Sequence, residues 1–236
     1  MKRAEIRELL RELIDGREPG EMMPSERHLS ERFGVSRPTL RAAIEDLTRD
    51  GLLVRSHGRG TFTPPRKISQ ELAPASAGNF TVPPAEGDWR SEVIDFRVEP
   101  AGARLGRRMA LSPGESLRYI QRVRVVDGAP MAIERIRIPA ELVPGLAPAD
   151  VETGSLYQLL RMRYEVVVAD AVQTTEPTVT DAEESRLLGV PLHAPALLFE
   201  RTTRDTSGRV VEFARSIYRG DRYRITTHLA FGNDAG

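Results

Sequence analysis

Cysteine is absent from the 236 residues, which excludes disulfides and thiolate metal sites and suits a reducing cytoplasm. The four histidines are scattered, so nothing in the sequence groups them as metal ligands, and no metal or cofactor is expected. Lysine is almost absent too. Only Lys2 and Lys67 occur, so everything beyond residue 67 lacks an amine for a Schiff base, which closes it to pyridoxal-phosphate chemistry. No apolar run approaches the roughly 18 residues of a membrane helix. The charged start MKRAEIRELLRELIDG has no signal-peptide core, so a cytoplasmic protein with no membrane partner is expected. Net charge is missing as well, because 34 basic residues balance 34 acidic ones. A nucleic-acid partner must then be argued from how the charge is distributed. Residues 1–26 carry five basic and seven acidic side chains, whereas residues 27–67 carry nine and four.

What is present is periodicity with clear punctuation. Ile6, Leu9, Leu10, Leu13 and Ile14 recur at helical spacing up to Asp15-Gly16. Pro24-Ser25 offers an N-cap for a short helix that turns Leu29 and Phe33 inward and ends at Gly34. Ser36 caps the next helix, with Pro38 in its first turn and Leu40, Ala43, Ile44 and Leu47 on its buried face. Two short helices joined by Gly34-Val35 predict a helix-turn-helix, and LLVRSHGRGTFT predicts a two-stranded wing with a His-Gly-Arg-Gly tip.

The first domain is therefore assigned to residues 1–63 and a proline-rich linker, with the approach to a second domain, to 64–90. Residues 91–236 form the second domain. There SEVIDFRVE alternates as a strand, and LRYIQRVRVVDGAPMAIERIRI reads as a hairpin about Asp127-Gly128. SLYQLLRMR is a short helix, another strand spans about 164–175, and TDAEESRLLG is a capped helix. ALLFERTTRDTSGRVVEFARSIYRG is a second hairpin around Ser207-Gly208. The expected fold class is α+β, a winged helix-turn-helix joined by a linker to an antiparallel-sheet domain.

The segment PSERHLSERFGVSRPTLRAAIEDLTRDGLLVRSHGRGTF resembles the N-terminal signature of the GntR family of bacterial regulators over about 60 residues. The helix starting at Ser36 can present its first turns to the major groove, with Arg37 and Arg41 on one face and suited to guanine edges. By resemblance, Arg27 holds a phosphate, Ser36 and Thr39 support backbone contacts, and His57-Gly58 enters the minor groove. Pro38 departs from the hydroxyl residue usual at its position. The partner implied is a double-stranded DNA operator, read by a homodimer.

Residues 91–225 resemble the UTRA effector domain of the HutC subfamily, which shares the chorismate lyase-like fold; RVRVVDGAPMAIE, GSLY, VEFARSIY and RGDRYR carry the resemblance. It implies a small ligand held in a cleft, often a sugar phosphate, whose binding resets two DNA-binding heads. Arg122 and Arg124 share a strand face with Arg118, and their guanidiniums suit a phosphate or carboxylate. Ser155 is placed to cap its helix beside the same anion. Glu134, Tyr157, Glu212 and Tyr218 match positions that contact the ligand in relatives. The alternative for Arg122, Arg124 and Glu134 is a structural ion-pair group on a half-exposed sheet.

Register decides whether these groups meet. A two-residue Asp127-Gly128 turn pairs Arg122 with Ile133 and directs Glu134 to the opposite face, whereas a three-residue loop including Ala129 sets Arg122 opposite Glu134. The three-residue loop is expected. Asn79-Phe80-Thr81 resembles the start of a ligand-capping loop, but its shortened continuation VPPAEGDW lacks the usual polar-acidic pattern. No nucleophile–base pair or phosphate loop is found, so a regulator rather than an enzyme is expected, most simply a repressor released by a small anionic effector. The alternative is a chorismate lyase-like enzyme fused to a DNA-binding head.

Overall fold

The structure, a computed structural model, describes residues 3–56, 58–71 and 87–229. The chain divides into two compact units, Met1–Lys67 and Ile68–Gly236. The first contains α1 (Arg3–Asp15), α2 (Glu26–Phe33), α3 (Arg37–Arg49) and a hairpin of β1 (Val54–Ser56) and β2 (Gly60–Phe62). The helix boundaries follow from the caps. Ser25 Oγ accepts from the His28 amide at 3.2 Å, and Ser36 Oγ from the Thr39 amide at 3.4 Å. Between them Gly34, at φ 63°, adopts the left-handed conformation that lets the chain reverse within two residues.

Each helix buries one stripe in a shared core. Ile6 and Leu10 of α1, Leu29 of α2, and Leu40, Ile44 and Leu47 of α3 are at most 2% exposed. Arg3–Asp46 and Arg7–Asp50 ion pairs, at 2.6 and 2.7 Å, brace α1 against α3 from outside. The hairpin pairs Val54 with Phe62 and Ser56 with Gly60, forming the wing. His57 lies outside the described residues.

The second unit is built on a six-stranded antiparallel sheet: β4 (Trp89–Pro100), β5 (Ser116–Val126), β6 (Ala129–Pro139), β7 (Val168–Val179), β8 (Pro195–Asp205) and β9 (Val210–Arg219). Its spatial order is β4-β5-β6-β9-β8-β7. Alternate residues serve two faces. One carries Ile120, Ile136, Ile138 and Ala214 against α5 (Leu156–Tyr164), and Ala132, Phe199 and Tyr218 against a separate two-stranded ribbon. The other carries Val123, Ile133 and Ile217 against α6 (Ala182–Leu188), and Leu117 and Phe213 against α4 (Gly102–Met109).

Several expectations are corrected. The first hairpin has the two-residue turn Asp127-Gly128, with φ 48° and 77° and Val126 paired to Ala129, not a three-residue loop. A bulge then inserts Met131, so that Arg124 faces Ala132 and Arg122 faces Glu134. The expected pairing is reached by a different route. The strand placed at about 164–175 runs from Val168 to Val179, because α5 continues through Tyr164.

Within the segment read as linker, Ile68–Glu71 form β3, which pairs in parallel with β10 (Tyr223–Thr226). The contacts of the second unit thus begin well before Ser91, and β4 itself starts at Trp89. Helix α4 has no side-chain cap and two glycines, and nothing in its sequence announced it. The Asn79-Phe80-Thr81 segment lies outside the described residues.

Candidate functional sites

In the first unit the charged face of α3 is solvent-exposed. Arg37 and Arg41 both project from its first two turns, with Thr39 between them and hydrogen-bonded to Ser36, hydroxyl to hydroxyl, at 2.7 Å. The two arginines differ in company. Among the described contacts Arg37 has no ion-pair partner, whereas Arg41 Nη2 lies 2.9 Å from Glu26 Oε2. Glu26 also takes Arg55 of the wing strand β1 at 2.6 Å. The Arg41 hydrogen bond outweighs the opposing effect of burial and, helped by Arg55, holds the Glu26 carboxyl below the usual carboxylate range. One carboxylate therefore ties α2, α3 and the wing together. Arg27 is exposed and only loosely associated with Glu31, at 3.9 Å, which leaves it able to meet a phosphate. Gly58, at φ 70°, is exposed at the wing turn.

In the second unit the register brings distant residues into one polar cluster on the α5 face. Arg122 Nε donates to Glu134 Oε2 at 2.8 Å, and its Nη1 donates to the Val151 carbonyl at 2.7 Å. The other Glu134 oxygen accepts from the Tyr218 hydroxyl at 3.1 Å. Farther along the same face, Glu212 accepts from Tyr157 at 2.7 Å and Thr203 at 2.6 Å, and pairs with Arg201 at 3.3 Å. Glu134 and Glu212 are 4% and 0% exposed.

Burial alone would raise the Glu134 pKa. The guanidiniums of Arg122, Arg124 and Arg201 overcome this and hold it at about 2. Burial also pushes the Tyr157 and Tyr218 hydroxyls up, so both are neutral donors. Gln70 of β3, Gln173, Arg201, Ser216 and Tyr218 line a small cavity of about 10 Å³ beside the cluster.

Arg124 stands apart. It is 3% exposed, its Nε has no hydrogen-bond partner, and its guanidinium lies 5.3 Å from the Trp89 ring centroid. A buried cation over an aromatic face gains some attraction, but far less than a paired anion would supply.

Of the seven expected effector residues, Arg122, Glu134 and Tyr218 form one bonded group and Tyr157 and Glu212 another, with Arg124 beside the first. Ser155 occupies the N-cap of α5, but its hydroxyl makes no capping bond, contrary to expectation. Arg118 shares the face yet stacks on Phe96 at 4.7 Å instead of joining the cluster. Sequence reasoning missed Arg201 and Thr203. Their alternation with Phe199, and the hairpin that sets Thr203 opposite Glu212, could have found them. It also missed Trp89, Glu26 and Arg55, whose roles depend on contacts between elements.

The first unit is a winged helix-turn-helix head, and the second carries a buried polar cluster on one face of its sheet, the organisation of a bacterial transcriptional regulator rather than an enzyme. The comparisons agree: the gntR family of bacterial regulatory proteins matches residues 2–63, and the UTRA domain matches residues 85–224. The chain belongs to the GntR family, in its UTRA-bearing HutC branch. It is 34% identical to the transcriptional repressor NagR of Bacillus subtilis, over 90% of this chain and 87% of that one. It is 30% identical to the repressor PhnF of Mycolicibacterium smegmatis, over 100% and 95%. The crystal structure of PhnF from Mycobacterium smegmatis superposes with a TM-score of 0.64 at 29% identity, covering 96% of this chain and all of that one. Escherichia coli MngR, named as repressor of a mannosyl-D-glycerate transport and metabolism system, is 30% identical over 88% and 86%. Among the described residues no helix is long and apolar enough to cross a membrane.

Proposed function

We propose that this chain is a repressor that holds a two-fold DNA operator as a homodimer and releases it when a small anion binds the second unit. Arg37 and Arg41 read base edges, Arg27 grips a phosphate, and Ser36 and Thr39 hold the start of α3 against the backbone. The wing, with Gly58 and the neighbouring His57, reaches the minor groove. Repression is supported by the names of NagR and PhnF, and the two-fold arrangement by the geometry with which helix-turn-helix dimers meet DNA.

The anionic effector rests on one observation, the buried Arg124 guanidinium, whose Nε has no hydrogen-bond partner and which forms no ion pair within 4 Å among the described residues. Leaving such a charge uncompensated is costly, and a carboxylate or phosphate on the ligand would compensate it. Arg122 with Glu134, Tyr218, Tyr157 and Glu212 then supply donors and acceptors for the rest of the molecule, and Ser155 offers an unused hydroxyl. MngR adds support for a carboxylate, because D-glycerate carries one.

The test is operator binding by the full chain, followed by anisotropy, with and without candidate sugar phosphates and sugar acids. Arg124→Met should keep operator affinity and lose release by any effective anion. Release that survives in Arg124→Met would place the effector elsewhere.

A further inference from the structure

The Glu26 carboxylate holds Arg41 by one particular edge. Arg41 Nε and Nη2 both donate to Glu26 Oε2, at 3.2 and 2.9 Å, so the side edge of the guanidinium is occupied. The end-on edge is open. Nη1 has no partner among the described contacts and the side chain is exposed, so Nη1 and the second hydrogen of Nη2 make a free two-donor fork.

The carboxylate is itself fixed from two directions. Its second oxygen accepts from Arg55 Nη2 of β1 at 2.6 Å, and its backbone opens α2 directly after the Ser25 cap. A residue of α2 and a residue of the wing thus set the direction of a side chain on α3. Glu45, the other acid beside Arg55 at 3.9 Å, makes no described hydrogen bond to Arg41.

Reading guanine O6 and N7 takes two parallel donors in a set orientation, and a free arginine gives up rotamer freedom to present them. A phosphate asks for less, since one donor from any edge serves it. An acid on the side edge therefore treats the two targets differently. It holds the fork ready for the base, and it closes the Nε edge and offsets the charge that a phosphate would use.

We infer that Glu26, locked by Arg55, is a specificity-determining positioning residue that presents the end-on fork of Arg41 to guanine and withholds Arg41 from phosphates. This rests on the base-reading role of Arg41 proposed above. Arg37, which no acid holds among the described contacts, is the internal contrast.

The test uses the full chain and a duplex that the chain selects from a random pool, with each base pair then substituted in turn. Loss of preference in Arg41→Ala and in Arg37→Ala identifies the pair that each arginine reads. Glu26→Gln should lower the guanine preference at the Arg41 pair by at least about fivefold, the lower end of what a bidentate contact discriminates. It should leave the Arg37 pair unchanged and raise affinity for an unrelated duplex at low salt. Arg55→Gln should cause a smaller fall at the Arg41 pair. Glu26→Gln added to Arg41→Ala should cost no further preference, because the two residues act as a unit.

Glu26→Gln that strengthens binding to every duplex alike would make Glu26 a competitor only, and would overturn the positioning role while Arg41 still reads its base. Falls at both the Arg37 and Arg41 pairs would show a general change in α3 and overturn it too. An unchanged preference in Arg55→Gln would overturn the part given to Arg55. If Arg41→Ala relaxes no pair, the base-reading role itself fails and the inference falls with it.

Discussion

The head and the effector domain hold arginines in opposite ways. In the head Arg37, Arg41 and Arg27 are exposed, and any partners they have are surface carboxylates. In the second unit Arg122 and Arg124 are 4% and 3% exposed, one fixed by Glu134 and the other lying over Trp89 with its Nε unbonded. An exposed arginine keeps its hydration until DNA arrives and can exchange Glu26 for a base or a phosphate at small cost. A buried one has already lost its water, so leaving its charge without an anion costs more. The head keeps its arginines hydrated and exchangeable, and the second unit fixes its arginines in place.

The largest expected effect probes the buried side. Glu134→Ala leaves the Arg122 guanidinium buried without its carboxylate and should destabilise the effector domain by about 3–5 kcal/mol, measured by denaturant unfolding of the full chain. A loss within the range of a surface pair would erase the contrast between the two units.

Acid adds a second view of the same pair. The Glu134 pKa is held at about 2 in the folded chain, below its ordinary 4.5, so its stabilisation is complete above the ordinary value and is lost as pH falls toward 2. The stability gap between wild type and Glu134→Gln should therefore narrow between about pH 4.5 and 2, and a gap that stays constant over that window would contradict the assignment.

In the head the effects are smaller and act on DNA. Arg41→Ala should cost about 1–3 kcal/mol on its preferred base and relax preference there, while Arg27→Ala should weaken all sequences alike and reduce the salt slope by about 1. Equal, sequence-independent losses from both would show that neither reads a base. Ser36→Ala should remove about 1 kcal/mol from head stability through its cap, followed by thermal unfolding. Glu26→Gln should change stability by less than about 1 kcal/mol, since its pairs with Arg41 and Arg55 are largely exposed. It should instead strengthen DNA binding at low salt by freeing both arginines; an unchanged affinity would mean that Glu26 does not compete with DNA.

The head was legible in the sequence almost element by element because its signals are local. Ser25, Gly34 and Ser36 act within three residues of themselves, and the apolar stripes of α1 and α3 repeat within one turn. The pocket was legible only in part. Strand parity placed Arg122 and Arg124 together, but their meeting with Glu134 depends on the Met131 bulge, which turn chemistry alone did not reveal. Arg201 and Trp89 were passed over because an arginine in one strand and a tryptophan at the start of another have no local mark of a shared site. The ribbon of β3 and β10 joins Ile68 to Tyr223 across the whole domain, a contact no short window contains.

The sequence by itself determined the winged helix-turn-helix, the exposed Arg37 and Arg41, and the strands that carry the pocket. These follow from caps, turns and periodicity, which act over a few residues. Tertiary structure alone decided that Glu26 holds both Arg41 and Arg55, that Arg201 pairs with Glu212, and that Arg124 is buried over Trp89 with its Nε unbonded. Those outcomes depend on sheet register and burial, where a single inserted residue exchanges one face of a strand for the other.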